Sequence, residues 1–336
     1  MNIAQKAISK ISQKITRASN DIGNLWGGNE RFFKDARGAR IVVYHGLCGK
    51  DPIRFNNSFL TRNTFEEHLK FYNRYFHPVQ LDDYYKGNFS NEKFNICITF
   101  DDGYENNYKY ALPLLEKYKT PATFFITAAR EAGYDILWND FLGIVTRYGP
   151  AQLSYKGEPF RKVRYKGYVS TTDNTRLVDR IRGGEFGCKV EMMQLLSGLY
   201  DFRNNHQEED FWRLMTDEQI SEMATSGWVT IGTHGYYHND LVKSRTPGAS
   251  WEMAESRRYL QTLTGKPVNA IAFPYGAYDR QTVSAAKACG YSQLLPLDFF
   301  FGEDHSDPTL RERFVVNPFV SVTNQMIATI KRTYAS

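Results

Sequence analysis

No stretch of this chain approaches the roughly 18 consecutive apolar residues that a membrane-crossing helix needs, so a helical membrane span is excluded. Cysteine is scarce and scattered. Cys48, Cys97, Cys188 and Cys289 form no Cys-x-x-Cys pattern, which removes a thiolate metal site and any demand for disulfides. Cys97 and Cys289 lie in apolar segments and read as buried thiols. The opening Met-Asn-Ile-Ala-Gln-Lys lacks the uninterrupted apolar core of a signal peptide, so a cytoplasmic location is expected. There is no internal repeat and no low-complexity run. A net charge of +5 is mild. It permits an acidic polymer or membrane surface as partner, and nucleic acid is not expected. Histidine is rare, with seven residues in the chain, which gives weight to where they stand.

What is present suggests a large α/β protein. At 336 residues the chain can hold one embellished barrel or two domains. Residues 1–20 read as a helix, with Ile3, Ala7, Ile11 and Ile15 at helical spacing and Lys6, Lys10, Lys14 and Arg17 beside them. Either this stripe packs on the body of the protein, which is the preferred reading, or it rests on an anionic membrane surface. Residues 21–38 read as a connection. From Ile41 strands and helices alternate. Strands are expected at 41–44, 95–100, 122–126, 228–231 and 269–273. Helices are expected at 64–75 (opened by a Thr64-x-x-Glu67 capping box), 105–118, 216–226, 249–264 and 279–289. Residues 135–215 break the pattern and read as an insertion, with helices near 174–182 and 190–200. Arg161, Lys162, Arg164 and Lys166 read as a solvated hairpin face in preference to a site for an anionic glycan or lipid phosphate. The expected organisation is a helical extension over 1–40 and a barrel over 41–336. Such alternation implies a mostly parallel sheet closed into an incomplete barrel, with its site at the C-terminal ends of the strands.

Three segments carry chemistry, and each follows an expected strand. Asn95-Ile-Cys-Ile-Thr-Phe-Asp101-Asp102-Gly103 ends in adjacent carboxylates, one able to bind a metal while the other stays free as a base. Gly227-Trp-Val-Thr-Ile-Gly-Thr-His234-Gly-Tyr-Tyr-His238 ends in two histidines four apart. At that spacing they share one face of a helical turn, so both imidazoles can reach one ion. Two His and one carboxylate with an open position form a catalytic metal set. Asn269-Ala-Ile-Ala-Phe-Pro274-Tyr275-Gly276 ends in a turn that can aim a backbone N–H at a developing oxyanion.

In this order the motifs resemble those of the polysaccharide deacetylases, carbohydrate esterase family four, over roughly residues 41–320. The resemblance implies an incomplete, distorted (β/α)7-type barrel. It assigns Asp102, His234 and His238 to a divalent metal, Asp101 to the base and the Tyr275 N–H to the oxyanion hole. Three departures stand out. Gly235 occupies the position after the first metal His where Ser or Thr is common. Ala272 stands where an Arg usually orients the base. The C-terminal Leu-x-His that supplies the acid is missing, and His305, in a polar run, reads as solvated. Ala39-Arg-Ile-Val-Val-Tyr44-His45-Gly46 resembles the branch acting on poly-N-acetylglucosamine and related exopolysaccharides. There a permuted strand order brings an N-terminal Tyr-His to the site. By that resemblance His45 is the acid, and Arg313, with Arg311 as the fallback, replaces the orienting Arg. Trp138, in Ile136-Leu-Trp138-Asn-Asp140, either lines the sugar groove or packs in the core.

The implied reaction is metal-dependent hydrolysis of N-acetyl groups on an amino-sugar glycan or its precursor, in cell-surface polysaccharide synthesis. Zn²⁺ heads the choice of ion, with Co²⁺, Ni²⁺ or Fe²⁺ also compatible with mixed O and N ligands. Two other readings compete: an amide C–N hydrolase acting on a small metabolite, and a glycan-binding protein that has lost catalysis. Partners beyond the N-acetylated glycan reduce to a peripheral membrane contact through residues 1–20, at the inner membrane surface.

Overall fold

A computed structural model describes residues 3–50, 56–204, 206–244 and 248–334. Its frame is a sheet whose strands are all parallel. These are β1 (Ala39–Tyr44), β2 (Phe76–Pro78), β3 (Phe94–Phe100), β4 (Ala122–Ile126), β5 (Val229–Thr233), β6 (Ala270–Ala272), β7 (Gln293–Leu295) and β8 (Phe314–Val315). The order is β7-β6-β5-β4-β3-β1-β8, with β2 beside the start of β3. Parallel strands covered on both faces need apolar residues at every position. β3 is buried along its whole length, and so is β4.

The sheet curls without closing. Between its two edges, the chain from Thr309 to Arg313 spans the gap. Leu294 N–H donates to the Thr309 carbonyl, Arg311 N–H to Leu294 and Arg313 N–H to Leu297. This backbone seam sets the position of Arg313 before any side-chain contact is counted. The N-terminal β1 lies between β3 and the last strand, β8, so His45 emerges beside the Asp101–Asp102 turn.

The expected elements are present, with several corrections. The helix Arg62–Tyr75 starts before Thr64. Its N-cap is Thr61, whose hydroxyl accepts from Thr64 N–H. The stretch after the Asp pair opens as a π-helix, Asn107–Ala111, before the α-helix Leu112–Tyr118. Residues 21–38 are not a plain connection: the first helix runs Ile3–Leu25 and a short helix Glu30–Asp35 follows. Ile3, Ala7 and Ile11 fall outside the described side chains. Ile15 is described and is 65% exposed, so the stripe does not pack on the barrel there. The contact is polar instead. Asn20 Nδ2 donates to Asn324 Oδ1, and Asn324 Nδ2 donates to the Arg17 carbonyl and to Asp21.

The insertion is the helix Trp138–Tyr148, an antiparallel three-stranded sheet (Gln152–Tyr155, Glu158–Val163, Gly167–Ser170), and helices Leu177–Arg182 and Phe186–Leu196. It has its own apolar cluster, including Phe141, Val145, Phe160, Met192 and Trp212, separate from the barrel core.

Candidate active site

One cavity of about 280 Å³ at the C-terminal ends of the strands is lined by His45, Asp101, Asp102, His234, His238, Tyr275 and Arg313. Asp101 and Asp102 follow β3 directly. Asp102 takes a left-handed backbone (φ 78°) and Gly103 repeats it (φ 86°), which turns both carboxylates toward one cavity. Gly103 is required for a second reason: a Cβ there would lie 2.8 Å from Ile126 Cγ2.

The two histidines reach one point by a route different from the helical turn expected from their spacing. Residues 234–238 form an irregular loop, with Gly235 at φ 75° and His238 at φ 55°. A side chain outside every motif holds this loop. Buried Glu252, on the helix Gly248–Thr264, accepts from Tyr237 N–H (3.2 Å) and Asn239 Nδ2 (2.6 Å). Trp138 supports it from the insertion, its indole N–H donating to the His238 carbonyl at 3.3 Å. Trp138 is 2% exposed and does not line the groove; its place is in the core beneath the 234–238 loop. Tyr275 closes the other side, with its ring edge-on to His238 and Arg182 stacked 3.9 Å above its centre.

The ligand atoms converge. One atom each from Asp102, His234 and His238 lies within 4.8 Å of the others, and all three residues are buried. His238 Nε2 is 3.2 Å and His234 Nε2 3.5 Å from Asp102 Oδ1. His234 Nδ1 donates to the Ala272 carbonyl at 2.8 Å, which leaves Nε2 as the free lone pair facing the cavity. Burial pulls His234 down to about 4, so the imidazole is neutral, the form that ligates. Burial pushes the Asp102 carboxyl up, but His238, His45 and His234 outweigh it and hold it below the usual carboxylate range. Asp102 Oδ1 and His238 Nδ1 are buried without a hydrogen-bond partner. A buried acceptor without a donor is costly, and a cation would satisfy it. The donor set fits a divalent metal.

Asp101 is the second carboxylate. Arg313 Nη1 lies 2.7 Å from its Oδ1 and Nη2 2.9 Å from its Oδ2, with both side chains buried. Burial alone would raise the Asp101 carboxyl; Arg313 and the nearby His234 and His45 bring it below its ordinary value. Arg311 is elsewhere, donating to the Asp307 and Leu310 carbonyls and stacking on Tyr85. Ala272 sits in the buried strand β6 and contributes only its carbonyl. His305 is exposed on a 3-10 turn.

Several lining residues escaped the motif reading. Asp140 is buried beside Tyr104, whose hydroxyl donates to it at 2.8 Å. Burial and then the Asp102 charge push its carboxyl well up. Asn56 and Asn139 complete this wall. The only signal for Asp140 was its position two residues after Trp138.

Comparisons with known proteins agree with this geometry. The family model described as polysaccharide deacetylase matches residues 90–154 and 197–294, leaving out the stretch between them. The YxkH protein of Bacillus subtilis (strain 168), a candidate polysaccharide deacetylase, is 22% identical over 255 residues. The alignment covers 75% of this chain and 61% of the relative's length. Among solved structures, the Streptococcus pyogenes deacetylase PplD in complex with acetate superposes with a TM-score of 0.56 at 17% identity, over 87% of this chain and 97% of that one. IcaB from Ammonifex degensii gives 0.53 at 20% identity, over 88% and 97%. At these identities the structural matches speak for the fold. With the ordered motifs and the family match, they show that this chain belongs to the polysaccharide deacetylase family.

Proposed function

We propose that the protein hydrolyses N-acetyl groups on an amino-sugar-containing glycan or glycan precursor, in the synthesis of a cell-surface polysaccharide. The observation that carries this reading is one buried carboxylate among two metal-ready imidazoles, next to a second carboxylate clamped by Arg313. A site that only held an ion would have no use for that second carboxylate.

Asp102, His234 and His238 would hold the metal, with Zn²⁺ first among the ions that suit this donor set. When bound there, a divalent cation supplies Lewis-acid polarisation of the amide carbonyl and acidification of the attacking water. Asp101 accepts the proton of that water. Arg313 occupies one lone pair on each carboxylate oxygen, which leaves a second lone pair on each for the proton. Arg313 also fixes the rotamer, so Asp101 is oriented before substrate arrives. The Tyr275 N–H is the oxyanion donor; its backbone, at φ 62°, is held there by the ring contacts with His238 and Arg182. His45 lines the same cavity and delivers a proton to the leaving amine, which departs poorly as an anion.

The test joins elemental analysis to acetate release from N-acetylglucosamine oligomers. Wild type and Asp101→Asn retain near-stoichiometric metal and His234→Ala loses it, while only wild type releases acetate. Wild type without metal after loading with Zn²⁺ or Co²⁺ overturns the mechanism. Bound metal with no turnover on any acetylated sugar moves the protein to the glycan-binding reading, and turnover confined to small amides moves it to the metabolite hydrolase.

The first helix supports a peripheral membrane contact as part of this function. Its polar face meets the helix Val322–Lys331, while Ile15, Ile22, Leu25 and Trp26 point to solvent, Trp26 with 86% of its surface exposed. Lys14 and Arg17 flank them. An apolar stripe with an interfacial Trp and basic neighbours suits an anionic bilayer surface. Among the described residues no helix is long and apolar enough to cross a membrane. Co-sedimentation with anionic vesicles that is lost in Ile22→Ser/Trp26→Ser supports the contact. Equal sedimentation of both proteins removes it.

A further inference from the structure

A cavity larger than the catalytic one lies outside it. About 720 Å³ in size, it lies on the insertion, between the helix Trp138–Tyr148 and the turn joining Glu158–Val163 to Gly167–Ser170. Arg147, Lys162, Arg164 and Lys166 line it, and no Asp or Glu does. Two other basic groups of the insertion are paired, Lys156 with Glu191 and Arg180 with Glu158. Among the described residues, no carboxylate reaches any of the four that face the cavity. Lys162 Nζ donates to the Gly149 carbonyl at 2.6 Å, which leaves the charges of Arg147, Arg164 and Lys166 on this concave wall to concentrate an attractive field there. Tyr165, 90% exposed at the turn, offers a ring face beside Arg164, the kind of surface on which a sugar ring stacks. A solvated hairpin face, the expectation for this cluster, accounts for the charges but not for their facing one cavity.

This cavity adjoins the catalytic pocket. Asn139 lines both, and the helix that carries it continues into the basic wall. Asn139 and Arg147 lie about 12 Å apart along its axis, more than one sugar ring from the acetamide position. The residues of the turn fall in the stretch that the family model leaves out. The recognition they provide is therefore a property of this chain's insertion.

The geometry points to an anionic subsite: the cavity binds a carboxylate- or phosphate-bearing unit of the same glycan whose N-acetyl group enters the metal pocket. The proposal rests on the deacetylase reading and narrows its substrate to an acidic polymer.

Binding of three fluorescent probes to the full chain tests it: a neutral N-acetylglucosamine hexamer, a hyaluronan hexasaccharide carrying carboxylates, and a poly(glycerol phosphate) bearing N-acetylglucosamine. The expected result is that one or both anionic probes bind at least about tenfold more tightly than the neutral hexamer at low salt, with the preference shrinking as salt rises. The probe preferred identifies the anion. Arg147→Glu/Arg164→Glu removes the preference and leaves neutral binding and metal content unchanged. Both residues are exposed, and Arg147→Lys/Arg164→Lys, which restores the charge, restores the preference. Equal affinity for neutral and anionic probes overturns the proposal, as does a preference that survives the charge reversal. Acetate release separates the two readings. Charge-selective binding without acetate release sinks the deacetylase and leaves the subsite, whereas acetate release without charge selectivity does the reverse.

Discussion

Replacing Arg313 by Ala isolates the contact that fixes Asp101, the proposed base. Both partners are buried, and once the guanidinium is gone the imidazoles near Asp101 are His234, with Nε2 at 4.0 Å, and His45. Removing one member of a buried pair costs about 3–5 kcal/mol, because the remaining charge is uncompensated. For a chain of 336 residues, the usual unfolding entropy converts this into a fall in Tm of roughly 4–7 °C. The loss depends on pH, and its sign follows from the two opposing influences on Asp101. In wild type Arg313 holds the folded carboxyl below its unfolded value. The stabilisation it brings is present above about pH 4 and disappears only as pH falls through the lower, folded value. In the variant burial outweighs the smaller opposing influence of His234 and His45, and the folded carboxyl rises above the unfolded one. Asp101 then stays protonated at mildly acidic pH at little cost, and the variant loses stability as pH rises through the new value. The gap in Tm between the two metal-free proteins is therefore narrower near pH 4.5 and widens to its full size by pH 8. In pH–rate profiles of the metal-loaded enzymes, the acid limb of kcat moves to higher pH in the variant. Arg311→Ala, which removes only contacts to carbonyls and to Tyr85, leaves both measurements near wild type. A pH-independent fall in Tm, or an acid limb that stays in place, refutes the reasoning.

Other substitutions probe other parts of the site. His45→Ala lowers kcat by roughly 10²–10⁴-fold, the range for loss of a general acid, with metal content by elemental analysis unchanged. Trp138→Phe deletes the indole N–H that supports the His238 carbonyl; competition with a chelator shows metal affinity lower by about 10–100-fold in a protein that remains folded. Gly103→Ala sets a Cβ against Ile126 in a left-handed turn and costs about 1–3 kcal/mol in urea unfolding. Gly87→Ala, at φ 71° with open space around it, costs only about 1 kcal/mol. His68 is buried beside the Tyr44 hydroxyl, and burial alone lowers it to about 3. Its folded value lies below its unfolded one, so the stability it contributes is complete above about pH 6.5 and declines as pH falls toward 3, at up to about 1.4 kcal/mol per pH unit. His68→Gln flattens the acid side of the stability profile by that slope.

The strands that carry the motifs were legible because parallel strands buried on both faces leave a continuous apolar run, as in Asn95–Phe100 and Ala122–Ile126. The order of the motifs and their position after strands followed from that alone. The supports were not legible, since nothing local marks them. Glu252 lies on a helix otherwise unremarkable in sequence, and only the fold brings it under the loop it holds. Arg313 and Arg311 are equivalent by composition. The seam between β7 and β8 separates them, because a backbone hydrogen bond from Arg313 to Leu297 turns one side chain into the cavity while its neighbour turns to Tyr85. Trp138 was ambiguous for the same reason: an aromatic residue beside a site reads alike whether it faces the groove or the core.

The backbone of the site shows why a motif is a better guide than a spacing rule here. Asp102, His238 and Tyr275 stand at φ 78°, 55° and 62°, and a non-glycine residue in that region costs about 1–2 kcal/mol. One such residue in each of the three segments means that none of the three turns relaxes to the form its local sequence would prefer. The His-x-x-x-His spacing suggested a helix, which the structure does not form. Glu252, the Trp138 indole and the Arg182–Tyr275 stack supply the opposing contacts, all from outside the turns they hold. The strained positions are also those proposed to hold the ion or donate to the oxyanion, so relaxing any one of them moves a functional atom. Loosening Glu252 by Glu252→Gln, which retains the shape and one acceptor oxygen but replaces the other acceptor by an NH2 donor, is therefore expected to weaken metal binding before it lowers Tm. A variant in which Tm falls while chelator competition is unchanged would show that the loop holds its conformation without that carboxylate.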